Sequence, residues 1–248
     1  MVIKWILFDC DNTLVQSENV ILKAIATTLN AQLALNGIDH RYTPEELKEQ
    51  HRDLTARGMA VKMMMRFRFR LRKYELRDVA ADVEDQVIAK LKEGAEPCPG
   101  VLEVLAKLHE EDEYTLAAVS CSSSKACLEA ALSNSGLDQF FLAKDRFSAL
   151  SIATTTPVTK PDSAIYRHIL DKYDAKPHEC MVIQDTVVGA SAAVRARIPV
   201  MGYVGGCATD EEKHAAILEL AMAGCKSVMW DWSDFDKEFE RLQEQIKK

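Results

Sequence analysis

Phe8-Asp9-Cys10-Asp11-Asn12-Thr13-Leu14 ends the apolar run Val2–Phe8, and its two carboxylates stand two residues apart. While the backbone remains extended, side chains at i and i+2 point the same way. Two acids at the buried end of a strand repel unless a cation or a proton separates them. Taken alone, the segment reads equally well as an Asx-rich turn. The rest of the chain bears on the choice.

Three further apolar runs end in polar or small residues: Tyr114–Val119 at Ser120, Cys180–Ile183 at Gln184-Asp185, and Ile198–Met201 at Gly202. Such runs read as strands buried on both faces, and helical patterns follow them at Ser123–Asn134 and Asp162–Tyr173. The alternation predicts an α/β fold, a doubly wound parallel sheet. In such sheets ligands bind beyond the carboxyl ends of the strands. Asp9, Ser120 and Asp185 should therefore converge.

Residues 16–96 break the rhythm. Val20–Leu35 is alanine-rich and helical in pattern, and Thr43-Pro44-Glu45-Glu46 carries a cap, a first-turn proline and a capping-box acid. A last helix is expected near Asp78–Lys92. Pro97-Cys98-Pro99-Gly100 then forces extended and turn backbone. The chain thus divides into an α/β core, residues 1–15 and 97–248, and an all-helical insertion, 16–96. Between Arg57 and Arg77 eight basic residues face one acid, Glu75. Arg66 to Arg72 alternates like a strand, but Met59, Met63, Phe67, Leu71 and Tyr74 fall at helical spacing, and helix is the expectation. This stretch reads either as a cationic patch drawing anions or as a solvated basic face pairing with Asp78, Asp82 and Glu84. Met63-Met64-Met65 reads as packing within the insertion.

The chain has 248 residues, 48% hydrophobic and 28% charged, which excludes wholesale disorder. Its formal charge of −7 argues against a dedicated nucleic-acid partner. Seven scattered cysteines without a CxxC pair suggest reduced thiols rather than a disulfide framework or zinc ribbon. The apolar N-terminal run is too short for a signal peptide or membrane span. A cytoplasmic protein with no membrane partner is expected; the oligomeric state is not legible.

Asp9-Cys10-Asp11-Asn12-Thr13 fits the pattern DxDxT. With Ser120 at a strand end, Lys160-Pro161 before a helix and Asp185-Thr186-Val187-Val188-Gly189 after another strand, the chain resembles the haloacid dehalogenase-like (HAD) hydrolase superfamily. It looks most like the phosphoglycolate-phosphatase and β-phosphoglucomutase branch, whose Rossmann-like core carries a helical cap at the position of residues 16–96.

The resemblance implies a role for each residue. Asp9 would be the nucleophile, forming an aspartyl-phosphate. Asp11 would act as general acid and then base, and its presence favours phosphoryl transfer over carbon–halogen cleavage. Ser120, Cys121 and Lys160 would bind the phosphoryl group, with Lys160 offsetting its charge. Arg52, near the cap specificity loop, would contact the substrate. Mg²⁺ would be held by Asp9, the Asp11 carbonyl and Asp185. The implied activity is Mg²⁺-dependent hydrolysis of a small phosphorylated metabolite, a sugar or polyol phosphate. A sugar phosphomutase and a low-turnover binding or regulatory protein are the alternatives.

Other residues are ambiguous or depart from the pattern. Ser122-Ser123-Ser124 could cap the following helix, and Cys10 is either a space-filler or a reactive thiol. Gln184 replaces the acid that relatives usually carry before the metal-binding aspartate. Its lost charge predicts weaker Mg²⁺ binding, with Gln184→Glu tightening it. Ser163 replaces a frequent proline, and either Asp162 or Ser163 could cap the helix.

Overall fold

The computed structural model describes residues 2–51, 56–71, 73–120, 124–149 and 162–247. β1 (Trp5–Asp9) is followed by α1 (Glu18–Leu35), α2 (Pro44–His51), α3 (Ala56–Phe67), α4 (Lys73–Glu93) and α5 (Val101–Glu111). Strands and helices then alternate: β2 (Thr115–Ser120), α6 (Lys125–Asn134), β3 (Arg146–Ser148), α7 (Ala164–Tyr173), β4 (Cys180–Gln184) and α8 (Val187–Arg195). The chain ends with β5 (Val200–Tyr203), α9 (Asp210–Met222), β6 (Ser227–Met229) and α10 (Phe235–Lys247). Among the described residues no helix is long and apolar enough to cross a membrane.

The six described strands form one parallel sheet in the order β3-β2-β1-β4-β5-β6, with helices on both sides. β1 lies centrally because Ile6, Leu7 and Phe8 are apolar without interruption and wholly buried, as a strand covered on both faces requires. Leu7 joins the core cluster of Val119, Tyr166, Ile169, Val182, Ala190 and Val200. Phe8, on the opposite face, meets Phe141 edge-on at 5.8 Å and Trp232 at 6.1 Å between ring centroids. The edge strands β3 and β6, three residues each, carry no apolar run that would mark them in the sequence.

Two compact units partition the chain: Met1–Gln16 with Ala95–Lys248, and Ser17–Gly94. In the first unit the two crossings of the boundary lie side by side. Gln16 donates its backbone N–H to the Glu96 carbonyl at 2.9 Å, and Cys98 donates to Leu14 at 2.8 Å. Val15 faces Pro97 between these bonds as an antiparallel bridge. At that position the missing proline N–H leaves no ladder bond unmade.

The second unit is helical. Val79, Val83, Val87 and Leu91 of α4 are buried at a spacing of four residues, as are Leu22, Ile25, Leu29 and Leu33 of α1 at three and four. Gln86 Nε2 donates to Thr28 Oγ1 at 2.9 Å, joining the two helices. Thr43 caps α2 by accepting from the Glu46 N–H at 3.1 Å.

The expected single helix through the basic stretch is corrected. α3 stops at Phe67, Arg68 takes a left-handed φ of +56°, and Phe69 N–H reaches back to the Met64 carbonyl at 3.3 Å. Leu71 lies in neither helix. A left-handed residue after a helix is usually glycine or asparagine, so an arginine there leaves no stop signal. Arg66 turns away from the acids expected of α4. It donates to Glu46 at 3.2 Å and stacks over Tyr42 and Phe67. Met63 is fully buried and Met65 exposed, so the methionine triplet is only partly packing.

Candidate active site

Strand register brings the motif residues to one edge of the sheet. Asp9 pairs with Val119, one step short of Ser120, and Phe8 pairs with Ile183, which places Asp9 beside Gln184 and one step short of Asp185. Asp9 is 3% exposed and Ser120 1%, while Asp11 and Asp185 are half-buried. The structure therefore gathers Asp9, Asp11, Ser120 and Asp185 at the carboxyl end of β1, β2 and β4. Arg52, Cys121 and Lys160 lie outside the described residues.

The loop after β1 is held from several directions. The Cys10 carbonyl accepts from both Leu14 and Val15, each at 3.0 Å, and Asn12 donates to Val15 at 2.8 Å. This tight fold puts Asn12 at φ +56°, a left-handed conformation that asparagine tolerates better than most residues. Trp232 Nε1 donates to the Thr13 carbonyl at 3.2 Å from the far end of the chain. Gly206 closes over Asn12: a Cβ there would lie 3.1 Å from the Asn12 carbonyl oxygen.

Gln184 is wholly buried, and its side chain does something the sequence reading missed. Its Nε2 donates to Asp9 Oδ1 at 2.8 Å and to Tyr166 Oη at 2.9 Å. Oε1 lies on the other side, 3.4 Å from Thr186 Oγ1. Thr186 in turn caps α8, accepting from Gly189 N–H at 3.2 Å. A carboxylate oxygen accepts only, so the Asp9 contact fixes which end of the amide faces it. The amide nitrogen thus faces the aspartate, a contact that the lost charge at this position does not announce. Tyr166 and Thr186 carried no signal in the sequence beyond an aromatic on a helical face and a threonine after a strand.

The remaining ambiguities close on geometry. Ser124 caps α6 by accepting from Cys127 N–H at 3.2 Å, while Ser122 and Ser123 lie outside the described residues. Asp162 Oδ1 accepts from Ala164 N–H at 2.8 Å, whereas Ser163 makes no capping bond through its side chain. Cys10 is buried, as a space-filler would be. Burial first, then the charges of Asp11 and Asp9, push it well above the ordinary thiol range. Burial, aided by the Asp185 charge, raises Cys98 to about 12 despite a hydrogen bond with Tyr203 that acts the other way.

The donor set suits a hard divalent cation. Two carboxylates, Asp9 and Asp185, and the Asp11 carbonyl are all oxygen, which fits Mg²⁺ better than a thiophilic metal. Among the described residues no group of three or more His, Cys, Asp or Glu side chains stands close enough together to hold a metal ion by itself, so a cation here would draw on the Asp11 carbonyl as well as on carboxylates.

The parallel sheet of six described strands, with acids gathered at its carboxyl edge, is an α/β core of Rossmann-like build. The family model described as haloacid dehalogenase-like hydrolase matches residues 3–197, and the chain belongs to that family. No curated protein matches the chain. Among solved structures, the haloacid dehalogenase-like protein ATU0790 of unknown function from Agrobacterium tumefaciens is 22% identical, with TM-score 0.74, covering 97% of this chain and 99% of that one. A predicted phosphoglycolate phosphatase from Haemophilus somnus is 20% identical, with TM-score 0.73 and coverage of 95% and 97%. A variant of CbbY from Rhodobacter sphaeroides, solved with xylulose-(1,5)bisphosphate, is 22% identical, with TM-score 0.69 and coverage of 94% and 96%.

Proposed function

We propose that the protein is a Mg²⁺-dependent phosphatase that hydrolyses a small phosphorylated metabolite, a sugar or polyol phosphate, through an aspartyl-phosphate on Asp9. The observation that carries this reading is the buried Asp9 carboxylate at the end of the central strand, oriented by Gln184 and flanked by Ser120 and Asp185. Membership of a hydrolase family with a phosphatase-like structural neighbour supports it. So does the sugar bisphosphate bound by CbbY.

On this reading Asp9 attacks phosphorus and the bond to the leaving oxygen breaks. Asp11 gives that oxygen a proton, then takes one from the water that cleaves the acyl phosphate. The Ser120 hydroxyl donates to a phosphoryl oxygen, and Lys160 offsets the charge. Three aspartates around a phosphate repel it unless positive charge intervenes. Mg²⁺ held by Asp9, Asp185 and the Asp11 carbonyl would supply that charge and polarise the phosphoryl group. The helical insertion acts as the cap that selects the substrate, with Arg52 as a contact, and excludes water.

Hydrolysis of a generic aryl phosphate, with Mg²⁺ or with EDTA, tests the reading. Turnover that needs Mg²⁺ and vanishes in Asp9→Asn supports it, and equal rates for the two proteins overturn it. Released phosphate from a sugar phosphate, rather than an isomeric ester, separates phosphatase from mutase.

A further inference from the structure

We propose that Gln184 is a positioning residue that orients the Asp9 carboxylate without contributing charge, so that Asp9 is held in place even when no divalent cation is bound. The inference rests on the reading of Asp9 as nucleophile and adds to it. Three elements make the device. β4 supplies the amide, β1 the carboxylate, and α7 the Tyr166 hydroxyl that accepts the second N–H.

The amide has little room for any other arrangement. A Cβ built on Gly189 would lie 2.0 Å from Gln184 Oε1 and 2.8 Å from Nε2, so the first turn of α8 presses directly on the amide. Contact on that side and two N–H bonds on the other leave the group one orientation. Hydrogen bonds to a carboxylate are stronger than neutral ones, and they fix the rotation of the side chain they bind. The helix that follows the metal-binding aspartate therefore sets the attitude of the nucleophile through one neutral group.

Glutamate at position 184 has nearly the same shape but no N–H. It would bring a second carboxylate to the place from which Nε2 now donates, 2.8 Å from Asp9 Oδ1. Two buried like charges at that distance need a cation between or beside them. Gln184→Glu should thus convert an arrangement that holds without a cation into one that depends on it.

Thermal melting of wild type and Gln184→Glu, each in EDTA and in excess Mg²⁺, tests this without reference to turnover. The expected result is a variant that melts below wild type in EDTA and gains at least about 2–4 °C more than wild type from Mg²⁺. Equal melting in EDTA, or a deficit that Mg²⁺ leaves unchanged, overturns the proposal. If the variant is insoluble in EDTA, Gln184→Leu serves, because it removes both N–H bonds and adds no charge. Aryl phosphate kinetics should then show kcat lower by about 10–100-fold with KM unchanged, as for a misaligned reacting group. A wild-type kcat in Gln184→Leu overturns the proposal. Absence of turnover in wild type would sink the phosphatase reading instead and leave the melting comparison intact.

Discussion

Asp9 and Gln184 stand 175 positions apart in sequence, yet a 2.8 Å hydrogen bond joins their side chains at the end of adjacent parallel strands. Both are buried, so the bond is made where water cannot compete. The orientation of the Asp9 carboxylate is therefore a property of the β1–β4 register, and on the proposed reading whatever disturbs that register disturbs the chemistry.

Asp11 separates chemistry by leaving group. If it is the acid that protonates the departing oxygen, as proposed, it matters most for a sugar or polyol, whose alkoxide leaves poorly. Asp11→Asn should lower kcat by about 10²–10⁴-fold on a sugar phosphate. On an aryl phosphate with an acidic phenol the loss should be much smaller. Steady-state kinetics on the two substrates measure the difference, and equal losses would remove Asp11 from this role.

Gly189 tests the pressure of α8 on Gln184. Gly189→Ala places a methyl 2.0 Å from Oε1, so either the helix or the amide must move. Overpacking of this kind destabilises by about 1–3 kcal/mol. Urea denaturation should show that loss, and kcat should fall alongside it, because displacing Gln184 releases Asp9.

Trp232 ties the loop after β1 from the C-terminal region. Trp232→Phe keeps most of the packing but removes the donor to the Thr13 carbonyl. A loss of about 0.5–1.5 kcal/mol is expected in equilibrium unfolding. Hydrogen exchange at residues 12–15 should accelerate.

Alkaline pH should destabilise the protein through its buried and half-buried thiols. Cys98, Cys180 and Cys225 are each pushed to about 12, with burial the largest cause. In the unfolded chain these thiols ionise near pH 8.5. Between about 8.5 and 12 the unfolded state loses protons that the folded state keeps, so stability falls as pH rises, by up to about 1.4 kcal/mol per pH unit for each thiol. Stability below about pH 8 is unaffected by them. The urea midpoint followed from pH 7 to 10.5 should fall only above 8, and Cys180→Ala should make the fall shallower.

How much of this was legible depended on whether a residue's environment leaves a trace in its neighbours. β1, β2, β4 and β5 could be read because strands buried on both faces are continuous apolar runs. β3 and β6 could not, being three-residue edge strands. The end of α3 stayed hidden because Arg68 occupies a backbone region where glycine would have announced the turn. At the site, the spacing of Asp9 and Asp11 and the strand ends at Ser120 and Asp185 marked the sheet edge. The position of Gln184 stood out too, but its role did not. Nothing in a sequence tells which end of an amide faces a neighbour, and that end decides whether the residue serves a metal or a carboxylate.

The two adjacent crossings at Gln16 and Glu96 make residues 17–94 a closed excursion from the sheet-bearing unit. The residues flanking it, Gln16 and Glu96, are already joined by a backbone hydrogen bond of 2.9 Å. A linker of a few glycines could bridge that gap without stretching β1 or bending Pro97. A shortened chain of this kind should fold by itself and hydrolyse small aryl phosphates while losing discrimination among larger esters. On the proposed reading such a junction would let selectivity be exchanged as a cassette while the catalytic frame stays untouched.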